Sequence, residues 1–402
     1  MHRGDIIQNR QIKPINVHRR HDIEYRNLAR EEFKAFSAND FSYMNSGGSG
    51  PTPEYVVSAM RDSDDLCSGP AYLEGSAFYA RCADANNRAR EAAARLVGAA
   101  PEDLALTQNT SHGMSLGVAA MDWREGDEVV STTTEHPGCL VPLHALKKRY
   151  GVDIKLVSPP VTAEKIKAEM TDRTRLIALS HVDWTTGEIL PLEEISALAR
   201  ERGALTLVDG AQSVGNMPTD IPATGAHMYA FTAHKWLLGP EGIGAFYVSP
   251  DCEVKSANLG FLSLADPYSF NVEGDYELKS GAGRFEASTM SPALAGGFAA
   301  AAEEAYERGE EGFAEIRRRA DLLMNLLSEN PGITLRTPRP AKNGLVSFEV
   351  EGVKAKDATE KLLEKRFVVR FLPEPTHYVR ASTHLFNSDE EIEGLAKAVA
   401  AL

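Results

Sequence analysis

Short apolar runs recur along the first two-thirds of this chain, and their rhythm is the strongest constraint on its fold. They occupy residues 104–107, 126–131, 152–157, 176–180, 204–209, 228–231 and 242–248. Helical stretches fall between them, after Ser115, over 163–170, and from Pro191 to Arg202. Strand and helix thus alternate at roughly 25–30 residues, which predicts an α/β chain built on a doubly wound, mostly parallel sheet. Earlier helices are expected from Glu54 and over 78–96. After Pro292 the rhythm changes. A long helix is expected through Arg319, then strands at 345–350 and 367–371 with a helix at 357–365 between them, which reads as a smaller domain. With 402 residues the chain divides into a 1–50 arm and glycine-rich loop joining the small domain, a 51–295 large domain and a 296–402 small C-terminal domain.

Two of these strands end in chemistry. The run 204–208 delivers Asp209, and the run 228–231 delivers Thr232, His234 and Lys235. In open α/β sheets, ligand sites lie at the carboxyl ends of the strands. Taken singly, Asp209 fits a helix N-cap and Lys235 fits a surface loop. Together they match the way pyridoxal phosphate (PLP) is held. The carboxylate keeps the pyridine nitrogen protonated, and a lysine whose pKa falls on burial forms a Schiff base with the aldehyde. Residues 104–107 lead into Asn109, Thr110 and Ser111 and then an apolar helix. Hydroxyls at a helix N-terminus make a phosphate cradle, although ordinary capping by Thr110 or Ser111 fits as well. No GxxxxGK[ST] motif is present. The glycine-rich stretch 43–53 suits close approach of backbone to a ligand, or a plain turn. His136 suits a ring lying flat on a cofactor, or a capped loop histidine.

Composition removes other classes. The formal net charge is −14, and a nucleic-acid binder needs a basic face. The locally basic segment 1–30, with His18, Arg19, Arg20 and His21, reads as a solvated arm. There is no apolar leader and no run of 18 apolar residues, so neither a signal peptide nor a membrane partner is expected, and the cytoplasm is the default location. Four cysteines without CxxC spacing indicate no disulfide framework and no metal site.

The motifs NSGGSGPTP, EHPG, SHVDWTTGEILP, VDGAQS, FTAHKW, GPEGIG, RFEAST and VRASTHLFN, spread from Tyr43 toward Leu402, resemble the class V aminotransferase group of fold-type I PLP enzymes. That is the group of cysteine desulfurases, and the nearest likeness in it is to the cystine and cysteine C–S lyases. The resemblance implies a mostly parallel seven-stranded sheet flanked by helices, a smaller α+β domain, and a homodimer with shared active sites. It implies that Lys235 carries PLP, Asp209 pairs with the pyridine nitrogen, Gln212 bonds the ring hydroxyl and His136 stacks on the ring. Thr110, Ser111, Thr232 and His234 would hold the phosphate, with Thr289 reaching the cofactor of the neighbouring subunit. Arg380 would clamp the substrate carboxylate, with Arg370 and Asn45 also on the substrate side.

Two departures bear on the reaction. Desulfurases carry a nucleophilic cysteine in the C-terminal third, and no cysteine follows Cys252 here. They also place an asparagine where this chain has Trp184. The expected activity is therefore PLP-dependent β-elimination from cysteine or cystine, giving sulfide or persulfide, pyruvate and ammonia. A desulfurase, an amino-acid epimerase of the isopenicillin N epimerase type, and a catalytically silent relative are the alternatives.

Overall fold

The computed structural model describes residues 30–37, 40–266, 268, 270–373 and 376–402; all of the expected basic arm 1–30 but Arg30 lies outside them. Seven strands make the larger sheet: β1 (Leu104–Thr107), β2 (Glu128–Thr132), β3 (Asp153–Val157), β4 (Thr174–Ser180), β5 (Leu205–Asp209), β6 (Met228–Thr232) and β7 (Gly244–Val248). Their spatial order is β1-β7-β6-β5-β4-β2-β3. Neighbours from β3 to β6 pair in parallel, and β7 runs antiparallel to both β6 and β1. All strands but β7 therefore end on one edge. Every residue of β1, β2, β6 and β7 is buried. Helices cover both faces, which is why these strands read as unbroken apolar runs. One face packs under helices Ser76–Leu96 and Leu192–Glu201, the other under Thr110–Ala119 and Pro137–Tyr150.

A second, antiparallel sheet orders Arg370–Phe371, Val379–Ser382, Leu345–Val350 and Ile333–Leu335. Helices Ala355–Glu364 and Asp389–Ala400 pack on it. The expected strand 367–371 is in fact two. Phe367–Val368 pairs in parallel with Ser42–Tyr43, and Arg370–Phe371 pairs with Val379–Ser382. The chain changes partners at Val369, which is buried, so the glycine-rich loop is sewn to the C-terminal region. The long helix runs past Arg319 to Ser328 and breaks at Gly309, whose φ of 53° is left-handed. Before the break, Ala295, Phe298, Ala301, Ala302 and Ala305 belong to the core of the large sheet. After it, Ala320, Leu323, Met324 and Leu327 belong to that of the small sheet. Packing thus passes from one core to the other near Gly309, not at residue 296.

One ion cluster locks the far edge of the large sheet. Glu128, the first residue of β2, is fully buried. It receives Arg173 Nη2 at 2.7 Å, Lys155 Nζ of β3 at 2.9 Å and Thr171 Oγ1 at 2.6 Å. Burial pushes its pKa up, but the hydrogen bonds from Thr171, Lys155 and Arg173 outweigh that and hold it at about 2. The folded pKa lies below the unfolded one, so this stabilisation is complete above the unfolded value. It is lost as pH falls from about 4.5 toward 2. Glu128→Gln should cost about 2–3 kcal/mol at pH 7. In urea melts at successive pH values, the gap from wild type should narrow below about pH 4.5 and close only near pH 2; a gap unchanged from pH 5 down to pH 2 would refute the assignment.

Candidate active site

The aligned strand ends enclose a cavity of about 310 Å³. β1 leads into Asn109, Thr110 and Ser111. β2 leads into His136, and β4 supplies Ser180 and then Trp184. β5 ends in Asp209 with Ala211 and Gln212 just beyond, and β6 ends in Thr232 with His234 and Lys235 next. Gly48 and Arg370 close the wall from the other sheet's side. Nine of the residues singled out from the sequence thus meet in one place: Thr110, Ser111, His136, Asp209, Gln212, Thr232, His234, Lys235 and Arg370.

Lys235 is the electrostatic centre. Burial pulls its amine down to about 8, opposed by Asp209 and assisted by Arg380 and Arg370. Burial pushes Asp209 up, against Lys235 and a 2.9 Å hydrogen bond from the Ala211 N–H. His136 is held near 4 by burial and then by the cations Lys235, Arg370 and Arg380. Its ring is therefore neutral, and Nδ1 accepts from Gly138 N–H at 3.0 Å as the N-cap of helix Pro137–Tyr150. The His136 and Trp184 rings meet edge to face, 5.2 Å apart at 87°. Thr110 begins helix Thr110–Ala119, and its buried Oγ1 has no hydrogen-bond partner. An orphaned hydroxyl beside free helix N–H groups is a seat for an anion. Thr232 Oγ1 and His234 Nδ1 lie 2.7 Å apart. A buried amine, a facing carboxylate, a flat neutral ring and an anion seat fit the parts of PLP.

Arg380 stands behind the cavity wall, fully buried. Burial and Arg370 pull its pKa down to about 9. Nη1 donates to the Trp184 carbonyl at 2.7 Å, while Nε and Nη2 have no partner. These two nitrogens form one edge of the guanidinium, the edge that takes a carboxylate in two parallel bonds. Both guanidiniums approach the Trp184 ring, Arg370 at 6.0 Å and Arg380 at 5.9 Å. Asn45 does not line the cavity; it bridges to Ser382, and its buried Oδ1 is unpartnered. The glycine loop must be bare here. A Cβ on Gly50 would sit 2.2 Å from the Lys235 carbonyl, and one on Gly47 would sit 3.1 Å from Arg380 Nη2.

The structure qualifies two expectations. Gln212 already donates to the Gly47 carbonyl at 2.9 Å and accepts from Trp236 Nε1 at 2.8 Å, so it also ties the glycine loop to the lysine loop. Thr289 is exposed and outside the cavity. Sequence reasoning missed Glu135, which is buried and pushed up to about 8 by burial, with Asp209 and Asp183 adding to the rise against the Ser180 hydrogen bonds. It binds Thr132 Oγ1 at 3.0 Å, Ser180 N–H at 2.9 Å and Ser180 Oγ at 2.5 Å, joining the ends of β2 and β4. A carboxylate next to His136 in the motif EHPG was the available signal. Among the described residues no group of His, Cys, Asp and Glu is arranged to hold a metal.

A family model for class V aminotransferases matches residues 42–395, so the chain belongs to that family. It is 30% identical to a cysteine desulfurase of Haloferax volcanii, over 89% of this chain and 88% of that protein. It is 30% identical to the isopenicillin N epimerase of Streptomyces clavuligerus, over 78% and 84%. Among solved structures, the cystine C–S lyase C-DES with its product cysteine persulfide superposes with a TM-score of 0.83 at 29% identity, covering 90% and 98%. A C-DES variant with glycine covalently linked to its PLP cofactor gives 0.84 at 28%, covering 92% and 98%. The fold is that of these PLP enzymes.

The electrostatics predict how the amine titrates. In apo-protein, the rate at which Lys235 captures an aldehyde should rise with pH around a midpoint of about 8. Arg370→Ala should move that midpoint up and Asp209→Asn should move it down, since each removes one of the opposing charges. Stopped-flow absorbance of PLP uptake reads both shifts; a midpoint near that of free lysine would show the amine to be solvated.

Proposed function

We propose that this chain is a PLP-dependent lyase that breaks the C–S bond of cysteine or cystine by β-elimination, releasing sulfide or a persulfide with pyruvate and ammonia. One observation carries the choice over sulfur capture: the cavity is lined by the Lys235 amine and by Arg370, with Arg380 behind its wall, but by no thiol. None of the four cysteines lines it. Burial pushes Cys139 well above the usual thiol range, and Cys252 and Cys67 up to about 11. A desulfurase needs a thiolate that reaches the substrate sulfur.

Bound in the cavity, PLP supplies an electron sink for the charge left at the substrate Cα. The chain supplies everything else. Lys235 Nζ would carry the cofactor and would take the substrate's α-proton; an amine held near 8 is a competent base at neutral pH. Asp209 keeps a proton on the pyridine nitrogen. Thr110, Ser111, Thr232 and His234 hold the phosphate. The open Nε and Nη2 edge of Arg380 receives the α-carboxylate, with Arg370 and Asn45 beside it. The sulfur then leaves with its bonding electrons. A persulfide leaves more readily than sulfide because its conjugate acid is the stronger.

Thr289, exposed and remote from this chain's own cavity, suits a place in the site of a second copy, and we read the enzyme as a two-fold dimer. Free thiols suit a reducing compartment such as the cytoplasm. No helix among the described residues is long and apolar enough to cross a membrane.

With cystine, pyruvate, ammonia and a sulfur species should form in equal amounts. Replacing all four cysteines with serine or alanine should leave turnover within a few-fold. Alanine as the product, with turnover abolished by a single cysteine substitution, would make the enzyme a desulfurase. Inversion at Cα alone would make it an epimerase. For the dimer, a Lys235→Ala chain mixed and refolded with a Thr289→Ala chain should recover activity that neither has alone, through one intact site per heterodimer. An active monomer on sedimentation would end that reading.

A further inference from the structure

The loop that carries Lys235 and the loop that follows Asp209 leave neighbouring strands. β5 and β6 pair as far as Asp209 and Ala230, so the sheet fixes the near ends of both loops. Their far ends meet at one side chain outside the cavity. Arg308 Nη2 donates to the Gly215 carbonyl at 3.0 Å and to the Trp236 carbonyl at 3.3 Å. Gly215 holds a left-handed φ of 87°, and a Cβ there would sit 2.7 Å from the Trp236 carbonyl carbon. The two loops thus touch backbone to backbone where Arg308 joins them. Arg308 is buried, and its ion pair with Glu304 is long, Nη1 to Oε2 at 3.6 Å. Its Nε and Nη1 have no hydrogen-bond partner. Burying a guanidinium so sparsely paired is costly. A methionine would fill the same space, but it lacks a nitrogen with two hydrogens for two carbonyls.

Arg308 also stands immediately before the helix break at Gly309. Its stem lies against Gly312, where a Cβ would come within 2.9 Å of Arg308 Cγ, and its guanidinium lies 5.5 Å from the Phe313 ring. Phe313 and Trp236 belong to one cluster of buried side chains, together with Leu345 of the smaller sheet. The side chain therefore grips the first turn after the break as well as the two loops. We propose that Arg308 is a positioning residue for Lys235: it fixes the separation of the Asp209 and Lys235 loops at their far ends, and so the depth at which the amine is held beside its carboxylate. The setting of the long helix at Gly309 then reaches the amine through Arg308. This role rests on Lys235 as the working amine of the proposed PLP site, and not on which bond the enzyme breaks.

The pH midpoint of PLP uptake by the full chain, freed of cofactor, reads the position of the amine. In wild type it should lie at about 8. Arg308→Met keeps the bulk and loses both donors. The loops then part and water reaches Lys235. Burial is the largest cause of the amine's depression and outweighs the pull of Asp209, so the midpoint should rise by about one pH unit toward the ordinary lysine value. Arg308→Lys keeps a cation but not the fork that spans two carbonyls, and should give a smaller rise. Amide hydrogen exchange should quicken at both loops, 213–217 and 235–239, in the same order. Glu128→Gln is the control. It loses stability at the opposite ends of the strands, and should lower Tm with the midpoint unmoved. A midpoint that stays at the wild-type value in folded Arg308→Met, or that rises equally in Glu128→Gln, would overturn the proposal. If Arg308→Met does not fold, Arg308→Lys decides, and an unmoved midpoint there refutes the role. Should wild type form neither pyruvate nor sulfide from cystine, the lyase reading fails while the midpoints still decide the role of Arg308.

Discussion

Withdrawing one amine from bulk water governs the architecture. A charged lysine in a cavity wall loses hydration that no single partner restores. Here Lys235 has a facing carboxylate, Asp209, but also two guanidiniums, Arg370 and Arg380, pressing the other way. Burial dominates, and the amine settles near neutrality. The same fields act on the neighbours. Burial keeps His136 an uncharged ring, helped by the three cations, and raises Asp209 and Glu135.

Such a balance needs a rigid frame, and the chain spends many buried contacts on holding the lysine loop. Trp236, the residue after Lys235, is fully buried and stacks with His384, which stacks in turn with Phe386. Its carbonyl receives His384 Nε2 at 3.0 Å and Arg308 Nη2 at 3.3 Å. Leu238, two residues on, holds a left-handed φ of 57° in complete burial, a conformation that persists only where packing enforces it. Gly50 reaches over from the glycine loop and donates to the His234 carbonyl at 2.7 Å. The backbone on both sides of Lys235 is therefore fixed by contacts from the glycine loop and from the C-terminal region.

Much of this was legible in the sequence, for definable reasons. Strands buried on both faces are apolar throughout, so β1 to β7 announced themselves, and helix and strand boundaries fell mostly within two residues of expectation. Residues at strand ends were legible because a parallel sheet puts such ends together whatever the helices do. Tertiary choices were not. The split of 367–371 between two partners at Val369 depends on where Ser42–Tyr43 docks. The break at Gly309 depends on which core each half of the helix meets. Glu135 carries no local signal of its raised pKa, which arises from burial at the joined strand ends, with Asp209 and Asp183 adding to it. The motif VRASTHLFN looked like one substrate element but divides its work. Arg380 stands behind the cavity wall, bonded to the Trp184 carbonyl, while His384 and Phe386 brace the lysine loop.

The division of labour between sulfur and nitrogen chemistry follows from the same frame. A sulfur-capturing nucleophile needs reach, and reach comes from a loop that can bring a thiolate to the substrate. The stretch from Arg380 to Asn387 is no such segment: all of it is buried, and His384 and Asn387 are hydrogen-bonded to backbone. A site this tightly braced favours a reaction in which the protein moves only a proton, from Cα to Lys235 Nζ, and lets the leaving group's own acidity complete the cleavage. Under the proposed β-elimination, rigidity and the missing thiol are two aspects of one design, because a reaction that transfers no sulfur to the protein has no use for a mobile arm.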